Sequence, residues 1–284
     1  MKELQLSLVN LSLLFIITQL FAIVLLPLFP QSYQAFPDQQ NNPLIIIYFV
    51  ISLVAITAFI LFLARKHLDK IIKYMFYLVF FLAFLYIIPP ILYFFNVPFS
   101  DYLSIIIPIL MIALIIIKPE WYIIDTTGVI AGAGIAVIIG MSIGILPAIL
   151  LLIIFAIYDA LAVYKTKHMI SLAETVVSNK VPALFVMPKN PGFSYGDDVK
   201  LAENTERGAF YLGYGDAIIP TILVISSMEF LKISVGIATM LGSMCGLVFL
   251  IVIASKGKPQ AGLPLLNSGA LCGFFVGYLL FVIL

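Results

Sequence analysis

Long apolar runs, broken by short polar or charged stretches, follow one another from end to end of the chain. A helix needs about 20 consecutive, mostly apolar residues to cross a hydrocarbon core roughly 30 Å thick. Cutting the chain where charge and turn residues interrupt the runs gives nine segments: Leu4–Leu28, Leu44–Ala64, Ile71–Phe95, Tyr102–Ile117, Ile123–Ile145, Pro147–Tyr164, Gly208–Ser227, Ile233–Ala254 and Gly262–Leu284. The fourth and sixth are short. The pattern predicts an all-α polytopic membrane protein with nine transmembrane helices. The first run is longer than a secretory apolar region, and no small-x-small cleavage site follows in Pro27–Tyr33, so it reads as a retained span.

Composition agrees: 63% of the 284 residues are apolar and 10% are charged, with a net charge of +1. Mean hydropathy is +1.18. A lipid bilayer is the expected surrounding, and without a global basic field nucleic acid is excluded as a partner. The position of the fifteen basic residues predicts orientation, because cytoplasmic flanks are enriched in Lys and Arg. With nine spans, one side collects Lys2, Arg65, Lys66, Lys70, Lys73, Lys118, Lys165, Lys167, Lys180, Lys189, Lys200, Arg207, Lys256 and Lys258, and the other has Lys232 alone. A missed or invented span would scramble that split. The N-terminus is therefore expected in the cytoplasm and the C-terminus outside.

One long connection divides the membrane domain, leaving residues 1–164 with six spans, 165–207 as a cytoplasmic loop, and 208–284 with three spans. Ile170, Ala173 and Val177 stand at helical spacing, so an amphipathic helix is expected over 167–180. Val181–Met187 is apolar and contains Pro182; it reads as a strand, a surface-lying segment or packed loop. Lys189–Glu206 is polar, with Pro191, Gly192, Gly196 and Asp197–Asp198, and reads as loop.

Gly128, Gly132, Ala136, Gly140 and Gly144 recur every four residues, as do Gly269, Gly273 and Gly277. In lipid such stripes let helix backbones approach closely, so both read as packing seams. Cys245 and Cys272 lie in apolar runs and read as small buried thiols without chemistry. Gly242-Ser243-Met244-Cys245-Gly246 likewise reads as packing.

Most acidic residues, including Asp101, Glu120, Asp125 and Glu229, fall in loops or at span ends, where hydration is expected. Two do not. Asp159 lies in the sixth span, six residues before Lys165, and Asp216 in the seventh, eight residues after Gly208. At 1.5 Å per residue they sit roughly 9 and roughly 12 Å below one boundary. The two spans flank a single loop and run in opposite directions, so the carboxylates meet if the helices are neighbours. Two close carboxylates share one proton, which suits one to act as general base on water and the other to hydrogen-bond or protonate a carbonyl. On chemistry alone, a proton- or cation-coupled transporter or cation leak comes first, since intramembrane carboxylates mark ion pathways.

Local sequence shifts that balance. Asp159 follows Tyr158; Asp216 closes Gly213-Tyr214-Gly215-Asp216, whose glycines remove bulk beside the carboxylate; and Pro264 interrupts the start of the ninth span ahead of Leu265 and Leu266. In order, spacing and depth this set resembles the GxGD intramembrane aspartyl proteases, the presenilin and signal peptide peptidase family, above all its archaeal homologues. The resemblance spans nearly the whole chain. It implies a presenilin-like fold and endoproteolysis of substrate transmembrane helices, with Asp159 and Asp216 as catalytic pair. Pro264, Leu265 and Leu266 stand for the Pro-Ala-Leu motif, whose middle residue here is Leu, and Tyr214 fills the variable position, where it is expected to meet substrate side chains. Tyr158, Gly213 and Gly215 complete the motifs. Neither metal nor organic cofactor is implied. The implied partners are substrate transmembrane segments or membrane-bound peptides, lipid and a second copy of the chain, in the archaeal cell membrane. The charge split favours the presenilin-like orientation. Other intramembrane proteases fail on residues: His67 and His168, the only histidines, both fall in loops and supply neither a His-Glu-x-x-His zinc site nor a Ser–His pair.

Overall fold

The computed structural model describes residues 2–37, 40–66, 68–166, 181–188, 193, 208–254 and 260–284. Nine long helices run through them: α1 (Lys2–Leu25), α2 (Leu44–Arg65), α3 (Asp69–Phe94), α4 (Ser100–Ile117), α5 (Trp121–Ser142), α6 (Ile145–Ala160), α7 (Tyr214–Phe230), α8 (Ile233–Ala254) and α9 (Leu263–Tyr278). Wider π-helical turns extend α6 over Leu161–Thr166 and α9 over Leu279–Ile283. Two short strands, β1 (Leu184–Pro188) and β2 (Ala209–Gly213), pair antiparallel between α6 and α7. The expected amphipathic helix over 167–180 and most of the polar loop lie outside the described residues.

Eight helices are long and apolar enough to cross a membrane. The ninth, α7, has 17 residues. Its shortness corrects the expected seventh span. The chain from Ala209 to Gly213 is not helical but extended, with Leu184 opposite Gly213 and Val186 opposite Tyr211. Gly213 and Gly215 weaken helix formation, while Phe210, Tyr211 and Leu212 suit a half-buried strand. Asp216 therefore stands in the first turn of α7 rather than eight residues into a helix.

The helix α5 is the axis of the bundle. Its membrane-crossing window is 72% buried, against 12–39% for the other candidate spans. The glycine stripe explains how it packs. Added Cβ atoms would meet Tyr214 at Gly128, Ile218 at Gly132 and Ile225 at Gly140, so these three form the seam along which α7 lies, while Gly144 faces Asn41. The second stripe does the same between α8 and α9, where a Cβ at Gly269 would stand 2.3 Å from the Gly242 carbonyl oxygen and one at Gly273 2.9 Å from the Gly242 Cα. Gly242 and Gly246 belong to that seam. Ser243 is buried between α8 and α1, where Gln19 donates to its hydroxyl at 2.9 Å. Outward faces carry apolar side chains such as Ile47, Ile51, Ile105 and Ile109, as lipid contact requires. Cys245 and Cys272 are among the exposed residues, which corrects the expectation of burial; both are free thiols.

Candidate active site

Asp159 is the penultimate residue of α6, a helix of almost unbroken apolar sequence. It is only 3% exposed. Its Oδ2 accepts the Leu263 backbone N–H at 3.1 Å. Leu263 opens α9, so Asp159 caps another helix's N-terminus, where backbone amides lack intrahelical partners. Its neighbour Tyr158 is half-buried and its hydroxyl reaches Thr57 of α2 at 3.4 Å.

Asp216 is the third residue of α7, half-buried, and its Oδ2 accepts the Gly213 N–H at 3.2 Å. That contact is one half of a capping box, in which the third helical residue reaches back to the amide of the cap. Gly213, at the cap, is extended. Gly215 is exposed, and a Cβ there would have no atom within 4 Å, so space opens directly beside the carboxylate.

Tyr214 points the other way. It is 7% exposed. Its hydroxyl donates to the Ile124 carbonyl at 2.7 Å, and its ring meets Phe185 edge-on at 4.6 Å between centroids. A Cβ at Gly128 would stand 2.4 Å from the Tyr214 ring, so only glycine leaves room for it. The expectation that Tyr214 meets substrate side chains is thereby corrected: its bulk is spent anchoring α7 to α5.

Asp159 and Asp216 reach the same turn of chain ahead of α9. Both touch one short stretch of backbone. Leu263 gives its amide to Asp159, and a Cβ on Gly262 would fall 3.1 Å from the Asp216 Oδ2. The approach to that stretch is clasped by Tyr164, whose hydroxyl donates to the Gln260 side chain at 2.8 Å and accepts the Ala261 N–H at 3.3 Å.

Pro264, Leu265 and Leu266 stand just beyond the contact. Pro264, near the start of α9, has no N–H to leave unpaired. The Leu265 carbonyl lies against Gly246 of α8, while Leu266 is fully buried and its amide donates to the Gly262 carbonyl at 3.2 Å. Asn267, fully buried one turn on from Leu263, donates to the Leu152 carbonyl at 2.8 Å and so ties α9 to the helix that carries Asp159. The motif proline marked the right place, but Gly262 and Leu263 make the contacts. The only sequence signal for them was their position immediately before Pro264 at the head of the ninth span.

A further carboxylate overturns another expectation. Asp125, read as a hydrated residue at a span end, is 3% exposed within α5. Strand β1 packs over that end of the helix, and the Val186 N–H donates to its Oδ1 at 2.8 Å. Among the described residues no cluster of three or more His, Cys, Asp or Glu could hold a metal ion.

The chain is thus a helical bundle of membrane-spanning length in which two carboxylates from different helices converge on one short backbone segment. The family described as "Signal-peptide peptidase, presenilin aspartyl protease" matches residues 12–283. A solved structure described as a presenilin family intramembrane aspartate protease in a C222 space group is 34% identical, with a TM-score of 0.71, covering 96% of this chain and 99% of that one. Another, described as the same type of protease in a P2 space group, is also 34% identical, with a TM-score of 0.70 and coverage of 95% and 97%. Among curated proteins nothing matches. The chain belongs to the signal-peptide peptidase and presenilin family of intramembrane aspartyl proteases.

Proposed function

We propose that Asp159 and Asp216 form the catalytic pair of an endopeptidase that hydrolyses peptide bonds within substrate transmembrane helices. The observation that carries this reading is their joint approach to Gly262–Leu263, two carboxylates from different helices at one backbone step, with open space at Gly215 next to Asp216 in the chain. One carboxylate takes a proton from water as its oxygen bonds to the scissile carbonyl carbon, and the other donates its proton to the carbonyl oxygen. The tetrahedral diol then collapses: the C–N bond breaks, the amine leaves with the proton that the first carboxylate took from water, one diol hydroxyl returns its proton to the second carboxylate, and a carboxylic acid remains. Each carboxylate serves a different atom, so neither replaces the other.

A helical substrate hides its peptide bonds, and local unwinding in lipid exposes amides that each cost several kcal/mol unless re-paired. Strand β2 leads into the turn that carries Asp216 and offers the extended geometry that strand addition uses. At α9 the Leu263 and Leu266 amides are already taken, by Asp159 and by the Gly262 carbonyl. With the N-terminus cytoplasmic, the catalytic pair opens toward the cytoplasmic boundary, and substrates are helices whose N-termini lie outside.

The test is incubation of the purified protein with a labelled transmembrane peptide, with and without an aspartyl-protease transition-state analogue. Cleavage that the analogue blocks supports the reading. Ion flux in liposomes with no cleavage replaces it with a carrier or cation leak.

A further inference from the structure

Asp125 is a second kind of buried carboxylate in this bundle. Its Oδ1 accepts the Val186 N–H at 2.8 Å, while its Oδ2, also buried, has no hydrogen-bond partner among the described residues. One backbone hydrogen bond is a poor return for burying a carboxyl group, and a well-packed apolar side chain would hold α5 at least as stably. The arrangement makes sense as a device for placement.

What it places is visible in the ladder. The register pairs Phe185 with Leu212, and the Ala183 carbonyl accepts the Tyr214 N–H at 3.2 Å. In an antiparallel pair such bonding partners alternate, so the Val186 N–H points away from β2 and toward α5. Asp125 thus occupies the edge of β1 remote from β2. The adjacent residue, Ile124, accepts the Tyr214 hydroxyl at 2.7 Å. Two consecutive residues of α5 therefore grip the hairpin from both sides, one at β1 and one at the first residue of α7. Asp216 is two residues further on.

We infer that Asp125 is a positioning residue for the protease: it fixes the register of the β1–β2 hairpin against α5, and through β2 and Tyr214 it sets where an extended substrate segment lies relative to Asp159 and Asp216. It also closes the outer edge of β1 to strand pairing, as a charged or polar group on an edge does. The inference rests on the catalytic pair proposed above.

The test compares Asp125→Asn, which keeps an oxygen acceptor for Val186, with Asp125→Leu, which keeps the size and loses the acceptor. Purified full-length variants are assayed on a labelled transmembrane peptide, reading kcat, KM and the distribution of cut bonds by mass spectrometry. Asp125→Leu is expected to lower kcat about tenfold or more and to move cleavage to neighbouring bonds, with Asp125→Asn restoring the wild-type pattern within a few-fold. A purely structural role would lower yield or Tm without moving the cut sites. Wild-type kcat and cut sites in Asp125→Leu, or failure of Asp125→Asn to restore them, overturns the inference. Should Asp125→Leu fail to accumulate, Val186→Pro decides, since it removes the donor on the side away from β2: shifted cut sites support the inference and an unchanged pattern overturns it. Asp159→Ala and Asp216→Ala are run in parallel. Their retaining activity would instead remove the catalytic pair on which the inference stands.

Discussion

Gly262 lies against the carboxylate of Asp216, so close that a methyl group at this position would sit 3.1 Å from Oδ2 and 3.2 Å from Oδ1. The next residue gives its amide to Asp159. A two-residue backbone step thus spaces the two acids, and the geometry of the site depends on a side chain that is absent.

Gly262→Ala is therefore expected to displace the Asp216 carboxylate by a few tenths of an ångström and to lower kcat by about tenfold, equivalent to about 1.4 kcal/mol in the barrier. The fold should survive, because only one flexible carboxylate must move. Steady-state cleavage kinetics together with a thermal melt check this; wild-type kcat in a correctly folded variant would show that the spacing does not matter.

The Tyr214 anchor predicts a coupling. Tyr214→Phe removes a buried hydrogen bond to the Ile124 carbonyl, which keeps the Thr127 hydroxyl as a donor at 3.0 Å, and should cost about 1 kcal/mol. Gly128→Ala drives a methyl into the Tyr214 ring and should cost about 1–3 kcal/mol by overpacking. Combined with Tyr214→Ala, the Gly128→Ala penalty should largely vanish. Chemical or thermal unfolding in detergent of the singles and the double tests it, and strict additivity would contradict the contact.

Much of this was readable from sequence, and the failures have physical causes. Every span was visible because lipid demands long apolar runs. The two aspartates stood out because charge there is costly, and the glycine stripes announced the α5–α7 and α8–α9 seams. The strand at Ala209–Gly213 was read as helix because an apolar stretch beside a span has no distinguishing period when it is only five residues long. Asp125 was read as hydrated because its cover, β1, comes from about sixty residues downstream. Gly262 escaped notice because a residue that acts by lacking a side chain leaves no chemical signature, whereas Pro264 two positions on does. The inward turn of Tyr214 depends on Gly128, eighty-six positions away, and no local pattern links the two.

Activity should need one proton on the pair, so the rate should fall on both sides of an optimum. Below it both acids are protonated and no base remains; above it both are ionised and no acid remains. The two limbs belong to the pair rather than to either residue. Initial cleavage rates across pH, with folding checked at each point, should give a bell. A flat profile from mildly acidic to alkaline pH contradicts shared-proton chemistry.

Substrate unwinding gives a separate expectation. Gly or Pro placed near the scissile bond weakens the substrate helix by about 1 to 3 kcal/mol per residue and should raise kcat/KM several-fold or more. A uniform Leu helix should resist. Equal rates for the two at equal binding would mean that opening the helix is not part of the reaction.

The most direct measurement is cleavage of a labelled transmembrane peptide in liposomes by wild type, Asp159→Ala and Asp216→Ala, each confirmed folded by its melt. The account predicts that wild type cleaves and that each single variant falls to background, with neither acid rescuing loss of the other. Turnover clearly above background in either variant would contradict the assignment of Asp159 and Asp216 as the catalytic pair.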